Sequence, residues 1–291
     1  MAAKSLNISI TESAIEIGKV CQIKGKYFCD NVRSYPVNNW ASAEDVVKQW
    51  ASAISDFTEA KTGLSLHIAM PGPFDYLDGI SYIKENRNLK SIYGENVKKR
   101  LAAELEVPED HIHFYNDAVC SLAAEYAFDE SKGNTILGLY FNEGFGSALL
   151  QDGKIKDAEL WSRPFLEGKA EDYFSIKWLR KSYFQLTGLN FVDVNEINHF
   201  SSSTEKDIFR IFTENLAHYI KALVREYKTE LIVLGGTLFS HSTNILTPLK
   251  KRLSALGVDV QLLKSKLHTD VPLIGTAVLS DKLLREVNTN E

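Results

Sequence analysis

The residues best placed to do chemistry begin with Asn116-Asp117-Ala118-Val119. They follow a strand-like apolar run, Ile112-His113-Phe114-Tyr115. They open a helix whose small and apolar face reads Ala118, Leu122, Ala123, Tyr126. Asp117 thus stands at a strand-to-helix junction, near the positive end of the helix, where a carboxylate is stabilised. A carboxylate there could take the proton of a substrate hydroxyl as a general base. An Asn-Asp pair before a helix is more often a cap, with Asn116 or Asp117 accepting the first amide N–H groups. His111 and His113 are expected on one strand face, but two histidines without a third ligand do not make a metal site.

The elements that must position Asp117 can be read from hydrophobic periodicity. Leu6, Ile8 and Ile10 alternate with polar residues. A second run, Ile15 and Ile17 then Val20 to Ile23, leads through a Lys24-Gly25-Lys26 turn into Tyr27-Phe28-Cys29. Three strands joined by short turns make an antiparallel meander. Ser42-Ala43-Glu44-Asp45 signals a helix start, and Val46, Val47, Trp50, Ile54 and Phe57 form its buried stripe. Leu64 to Ala69 is a strand that runs into Met70-Pro71-Gly72-Pro73, and Asn96 to Leu105 is helical.

The pattern then recurs. A helix is expected over 118–128, and strands over Thr135 to Phe141 and Ser147 to Gln151, with Asp152-Gly153 as a hairpin turn. Helices follow over 170–187, with Tyr173, Phe174, Trp178 and Leu179 inside, and over Glu205 to Tyr227. Leu231 to Leu234 is a buried strand ending in Gly235-Gly236-Thr237. A helix over Leu246 to Leu256, a strand over Val258 to Leu262 and a small-residue helix from Pro272 to Val287 complete the chain. The order βββαβα occurs once in each half, which predicts an α/β protein of two similar lobes rather than one doubly wound sheet.

With 291 residues, 44% hydrophobic and 24% charged, the chain has ample material for a large core. A net charge of -5 leaves no basic footprint for nucleic acid. No run reaches the length of a membrane span, and the N-terminus lacks a signal-peptide core. Cys21, Cys29 and Cys120 are too few and scattered for a disulfide framework or a zinc cluster. A cytoplasmic location is expected.

In its motifs the chain resembles the ROK family (repressor, open reading frame, kinase), the bacterial glucokinase-like branch of the actin, hexokinase and Hsp70 superfamily. Pro71-Gly72-Pro73-Phe74-Asp75, with Asp78-Gly79, resembles its Pro-Gly-Pro-Val-Asp segment, and Asn116-Asp117-Ala118 its catalytic turn. Gly144-Phe145-Gly146-Ser147-Ala148 with Asp152-Gly153-Lys154 resembles its second phosphate hairpin. Ala158-Glu159-Leu160 matches Gly-Glu-Ile, and Glu171-Asp172-Tyr173-Phe174-Ser175 matches Leu-Glu-Asp-Tyr-Ser. Ile232-Val233-Leu234-Gly235-Gly236 resembles the adenosine motif. Each segment is short, but together they keep their order over nearly the whole chain.

The resemblance implies a two-lobed, actin-like ATPase (ribonuclease H-like) fold with a sugar in the interlobe cleft. The expected N-terminal lobe is 1–115, with a C-terminal helix of about 275–291 packing back on it. The expected C-terminal lobe is 116–274. Asn116, Asp117, Glu159 and Glu171 would bind sugar hydroxyls, and Asp117 would be the general base. Sugar hydroxyls are donors and carboxylates accept them. The resemblance also implies ATP with Mg²⁺ as co-substrate if the protein is active, and a homodimer through the C-terminal lobe.

Several departures alter that picture. The family's first phosphate motif, Asp-X-Gly-Gly-Thr, is matched here by Ser9-Ile10-Thr11-Glu12-Ser13, so the metal-associated carboxylate and both glycines are lost. The second, Gly-Thr-Gly, reads Asn142-Glu143-Gly144. Thr11, Glu12, Ser13, Glu143, Gly144, Gly146, Gly235 and Gly236 would thus form a degenerate nucleotide site, with Glu12 and Glu143 where phosphates belong. A carboxylate ~5 Å from a phosphate charge costs about 3 kcal/mol at an effective dielectric near 20. Two of them rival a micromolar nucleotide affinity of roughly 8 kcal/mol.

The family's zinc segment, between Glu159 and Glu171, contains no cysteine here, and Ser162 stands near its His; no zinc is expected. No helix-turn-helix segment precedes the first strand, so DNA binding is not expected either. Three readings follow. The chain is a non-catalytic sugar-binding relative, or an ATP-dependent hexose or amino-sugar kinase, or a structural subunit pairing with an active paralogue.

Overall fold

A computed structural model of the chain describes residues 4–38, 40–58, 63–84, 89–128, 133–190, 196, 202–241, 245–265 and 271–288. In chain order the elements are β1 (Lys4–Ile10), β2 (Ala14–Ile23), β3 (Lys26–Pro36), α1 (Ala43–Phe57), β4 (Leu64–Met70), β5 (Phe74–Asp75), β6 (Ile80–Ser81), α2 (Val97–Leu105), β7 (Ile112–Asn116) and α3 (Asp117–Phe128). They continue as β8 (Thr135–Phe141), β9 (Phe145–Gln151), β10 (Lys154–Asp157), β11 (Pro164–Phe165), β12 (Gly168–Lys169), α4 (Ile176–Thr187), α5 (Ser203–Tyr227), β13 (Leu231–Gly235), α6 (Thr237–His241), α7 (Leu246–Ala255), β14 (Gln261–Lys264) and α8 (Val271–Asn288). The fold is mixed α/β, with two five-stranded sheets ordered β3-β2-β1-β4-β7 and β10-β9-β8-β13-β14.

The chain divides into two units, residues 1–130 with 269–291, and 131–268. The first break thus falls at 130/131, whereas the lobes were expected to part at 115/116. The reason lies in α3, which packs on α8. A Cβ at Gly275 of α8 would come within 1.9 Å of the Cys120 carbonyl oxygen of α3, so only glycine permits this approach. Polar clamps fix α8 to its sheet: Asn7 Nδ2 donates to Thr276 Oγ1 (2.9 Å) and Tyr27 Oη donates to Asp281 Oδ2 (2.9 Å). The expected helix over 275–291 runs on to Asn288, and 289–291 lie outside the described residues.

In the first unit the core lies between the sheet and the apolar faces of α1 and α2, with Ile8, Ile17, Trp50, Leu66, Ile68 and Leu101 fully buried. Ser42 caps α1 through the Asp45 N–H, as its type predicts. In the second unit, Leu137, Leu139, Phe141, Phe174, Phe212, Ile232 and Leu234 form the core, which α4, α5 and α7 cover.

Two expected elements differ. The helix predicted over 170–187 is a short 3-10 turn at 170–172 followed by α4, because Ser175 accepts the Trp178 N–H (3.3 Å) and starts a new helix. The strand predicted over 258–262 lies at 261–264. Gly257, at φ +66°, closes α7, and the Val258 N–H returns to the Leu253 carbonyl (3.0 Å). Val258 thus ends a helix in the Schellman manner, and its apolar side chain packs on the core. Among the described residues no helix is long and apolar enough to cross a membrane.

Candidate functional site

In the first unit, β7 runs parallel to β4 and delivers Asn116 opposite Met70. Asn116 Oδ1 accepts the N–H groups of Ala118 (2.9 Å) and Val119 (3.0 Å), so this residue caps α3. Its Nδ2 donates to Tyr76 Oη (2.9 Å), and that hydroxyl donates to the Met70 carbonyl (3.3 Å). The amide is held at both ends, and the Pro71–Asp75 segment is drawn against the junction. A Cβ at Gly72 would stand 3.1 Å from Tyr76 Oη, a tight contact that the hydroxyl would have to shift by a few tenths of an ångström to relieve. Asp117 is half-buried in the first turn. Its Oδ1 accepts the Ala118 N–H (2.8 Å), and its carbonyl accepts Ser121 Oγ (2.8 Å).

Behind this junction His67 and His113 stack at 5.0 Å. His67 Nδ1 lies 3.1 Å from Tyr115 Oη and Nε2 lies 3.2 Å from Ser65 Oγ. Burial, then the neighbouring His113, push the His67 pKa down to about 4, so the ring is neutral near pH 7. His111 does not share that strand face: it sits in a 3-10 turn before β7, with Nδ1 3.1 Å from the Leu64 carbonyl.

The β1–β2 turn carries Thr11, Glu12 and Ser13. Thr11 closes it: its N–H donates to the Ala14 carbonyl (2.9 Å), and its Oγ1 accepts the N–H groups of Ala14 (3.1 Å) and Ser13 (3.5 Å). None of the three adopts positive φ. The donors that a glycine-rich turn would aim at a phosphate are used inside the turn. Glu12 is half-buried there, and Ser9 is buried in β1.

In the second unit, the β8–β9 turn is residues 142–144. Asn142 ties it to the Gly235-Gly236 loop, because its Oδ1 accepts both the N–H (2.8 Å) and the Oγ1 (3.1 Å) of Thr237. Gly236, at φ +85°, presses on β8: a Cβ there would meet the Phe141 nitrogen at 2.5 Å. Glu143 receives Arg180 Nη1 of α4 on both oxygens, at 2.6 and 2.5 Å. Its charge is therefore balanced within the unit, which the sequence did not predict. Glu171 lies against the same turn: its Oε2 accepts the Phe145 N–H (3.2 Å), and a Cβ at Gly144 would be 2.7 Å from it. Gly146 sits in β9 opposite Tyr140.

Glu159 is exposed in a left-handed conformation at φ 51°, with its N–H on Asp157 Oδ1 (2.7 Å). Burial raises the Asp157 pKa, and that hydrogen bond opposes the rise. Between Glu159 and Glu171, the β11–β12 hairpin is anchored by Phe165, which meets Tyr173, Phe174 and Tyr219 at 5.3, 5.0 and 5.2 Å. Lys169 lies 5.0 Å over the Trp161 ring and 4.0 Å from Glu171 Oε1. Among the described residues no three His, Cys, Asp or Glu side chains are grouped to hold a metal ion.

The structure thus joins Glu143, Gly144 and Glu171 at one turn, links that turn to Gly235-Gly236 through Thr237, and places Asn116 with Asp117 in the other unit. Sequence reasoning missed Tyr76, Asn142 and Arg180 as partners of these residues. No spacing rule connects Arg180 with Glu143 or Tyr76 with Asn116, because both pairs form only through tertiary packing.

Solved structures with this fold exist. A ROK hexokinase from Thermus thermophilus matches with a TM-score of 0.75 and 17% identity, over 97% of this chain and 99% of that one. The chain has the fold of the ROK sugar kinases. A ROK glucokinase from Streptomyces griseus, solved with glucose and AMPPNP, matches with a TM-score of 0.75 and 17% identity, over 96% of this chain and 99% of that one. A ROK family protein from Streptococcus pneumoniae TIGR4 in complex with sucrose matches with a TM-score of 0.76 and 15% identity, over 97% and 99%. No protein-family model and no curated protein sequence matches the chain.

Proposed function

We propose that this chain is a sugar-binding relative of the ROK sugar kinases, weak or inactive as a phosphotransferase. Its candidate ligands to sugar hydroxyls are Asn116 and Asp117 in the first unit and Glu159 and Glu171 in the second. The observation that carries the reading is the β1–β2 turn. There Thr11 takes the N–H groups of Ser13 and Ala14, and no glycine gives phosphate a close approach. The residues present do not fit a triphosphate tail at that turn, whereas carboxylates suited to a neutral polyol are retained. The test is calorimetry over a panel of hexoses and amino sugars, alongside coupled ADP release with Mg²⁺. Binding of one sugar without turnover is the expected result. Absence of any sugar binding would leave only a structural subunit, and the reading would fall.

A second reading, an ATP-dependent hexose kinase, is favoured by one observation. Arg180 balances Glu143, so the β8–β9 turn is less hostile to anions than its sequence implies. In that case Asp117 would take the proton from the attacking sugar hydroxyl. Turnover that Asp117→Asn abolishes would establish it. Homodimerisation through the second unit belongs to the same proposal, with light scattering as its test.

A further inference from the structure

The far end of the β2–β3 hairpin is apolar and basic on one bare face. β2 pairs with β1 only from Ile15 to Gly18, whereas its pairing with β3 continues through Cys21 with Phe28 to Ile23 with Lys26. Residues 19–30 therefore run on past the body of the sheet as a two-stranded ribbon. Alternation along the strands divides the ribbon between two faces. On one face Tyr27 is buried, and its Oη donates to Asp281 Oδ2 of α8 (2.9 Å). The other face carries Lys19, Cys21, Ile23, Lys26, Phe28 and Asp30. α1 covers the nearer part of that face, over Ile15 and Ile17, and ends at Phe57. The Lys19 ammonium lies 6.0 Å from the Phe57 ring and the Arg33 guanidinium 5.5 Å. Beyond them Ile23 is 56% exposed and Phe28 46%, and Cys21 is exposed too.

Ile23 and Phe28 stand diagonally across the two strands, close enough for such side chains to share one apolar patch. Lys19, Lys24 and Lys26, all exposed, surround them against one carboxylate, Asp30. This is a local positive charge in a chain of net charge -5. We propose that this face docks on an anionic lipid bilayer, with the lysines at the headgroups and Ile23 and Phe28 in the interfacial layer. Lysine stems lie along apolar surface while their ammonium groups reach outward, which is the geometry such an interface needs. Charge selects a negative partner. A second copy is a poor one, since a two-fold pairing of this face would set lysines against lysines. A single aromatic ring gives nucleic acid no run of stacking platforms. The face of a ribbon is also flat, and a bilayer needs no pocket, whereas the anchors of a protein partner do. The proposal requires no spanning helix and goes beyond the sugar reading, because none of these residues is a proposed sugar ligand.

The experiment is co-sedimentation of the full-length protein with vesicles of phosphatidylcholine, alone or with phosphatidylglycerol at about one part in four. Wild type is expected to pellet with the anionic vesicles only, and less as salt rises. Lys24→Gln with Lys26→Gln is expected to weaken partitioning by about tenfold or more. Both lysines are exposed, so this pair also guards against a folding defect. Ile23→Ser with Phe28→Ser keeps the charge and is expected to weaken partitioning by about the same factor. Lys250→Gln with Lys251→Gln removes an equal charge from exposed positions on α7 and is expected to change nothing.

Wild type that ignores the anionic vesicles would overturn the proposal. So would binding that survives either hairpin pair, or a loss that the α7 pair matches. Equal pelleting with phosphatidylcholine alone would remove the role of charge and overturn it too. Binding of polyglutamate or of a single-stranded oligonucleotide, with vesicles ignored, would assign the face to another partner and overturn it as well.

Discussion

Asn116 shows how one side chain can answer two local demands. It caps α3 with its oxygen and holds Tyr76 with its nitrogen. Asn116→Ala should therefore cost about 1–2 kcal/mol, read as a lower urea midpoint with unchanged slope. The residue types at 116 and 117 were legible in the sequence, and so was the choice between a cap and a catalytic group. Which of the two caps was not, because that depends on χ angles set by Tyr76. The charges at Glu12 and Glu143 were legible as well. The partner of Glu143 was not, since Arg180 arrives on another element.

His67 carries a second prediction at this scale. Unfolded, it takes a proton near pH 6.5; folded, only near about 4. Between those values the unfolded chain binds more protons, so stability falls as pH drops from 6.5 toward 4 and levels off below. His113, whose pKa burial also lowers, acts in the same direction. The His67 share is at most about 3 kcal/mol. Urea titrations from pH 4 to 7 should show a shallower slope in His67→Gln than in wild type.

Among the elements, periodicity located the longer strands and every described α-helix but α6, because each buries one face, and missed the short strands β5, β6 and β10 to β12. It failed where a short-range contact overrode the pattern. Ser175 restarts a helix that an apolar stripe made continuous, and Val258 serves as a helix stop although its type suits a strand. Gly275-Thr276-Ala277 was legible as a helix opening, but not the reason for its small residues, which is the approach of α3. Gly275→Ala should destabilise the protein by about 2–3 kcal/mol, seen as a lower melting temperature. An alanine at Gly257 tests a different cause, since its Cβ would meet nothing within 4 Å and only the positive φ resists it. A loss of about 1 kcal/mol is expected there.

For the whole molecule, the two-part architecture was legible from the repeated βββαβα order and the resemblance. The position of the break was not, because α3 follows the Asn116-Asp117 turn in sequence yet is held by α8, far along the chain. The first unit needs both of its segments: α8 contacts β1, β2, β3 and β4. A fragment ending at residue 130 should stay unfolded by circular dichroism. The same fragment joined by a short flexible linker to 269–291 should regain a cooperative transition.

The order of manufacture follows from that discontinuity. A ribosome delivers the chain from its N-terminus at ~5–20 residues per second. The opening sheet therefore waits on the order of ten seconds or more before the last helix emerges to cover it. Throughout that interval a nascent apolar surface is bare, a target for chaperones. A prematurely terminated polypeptide would never bury it, leaving quality-control proteases an unprotected substrate.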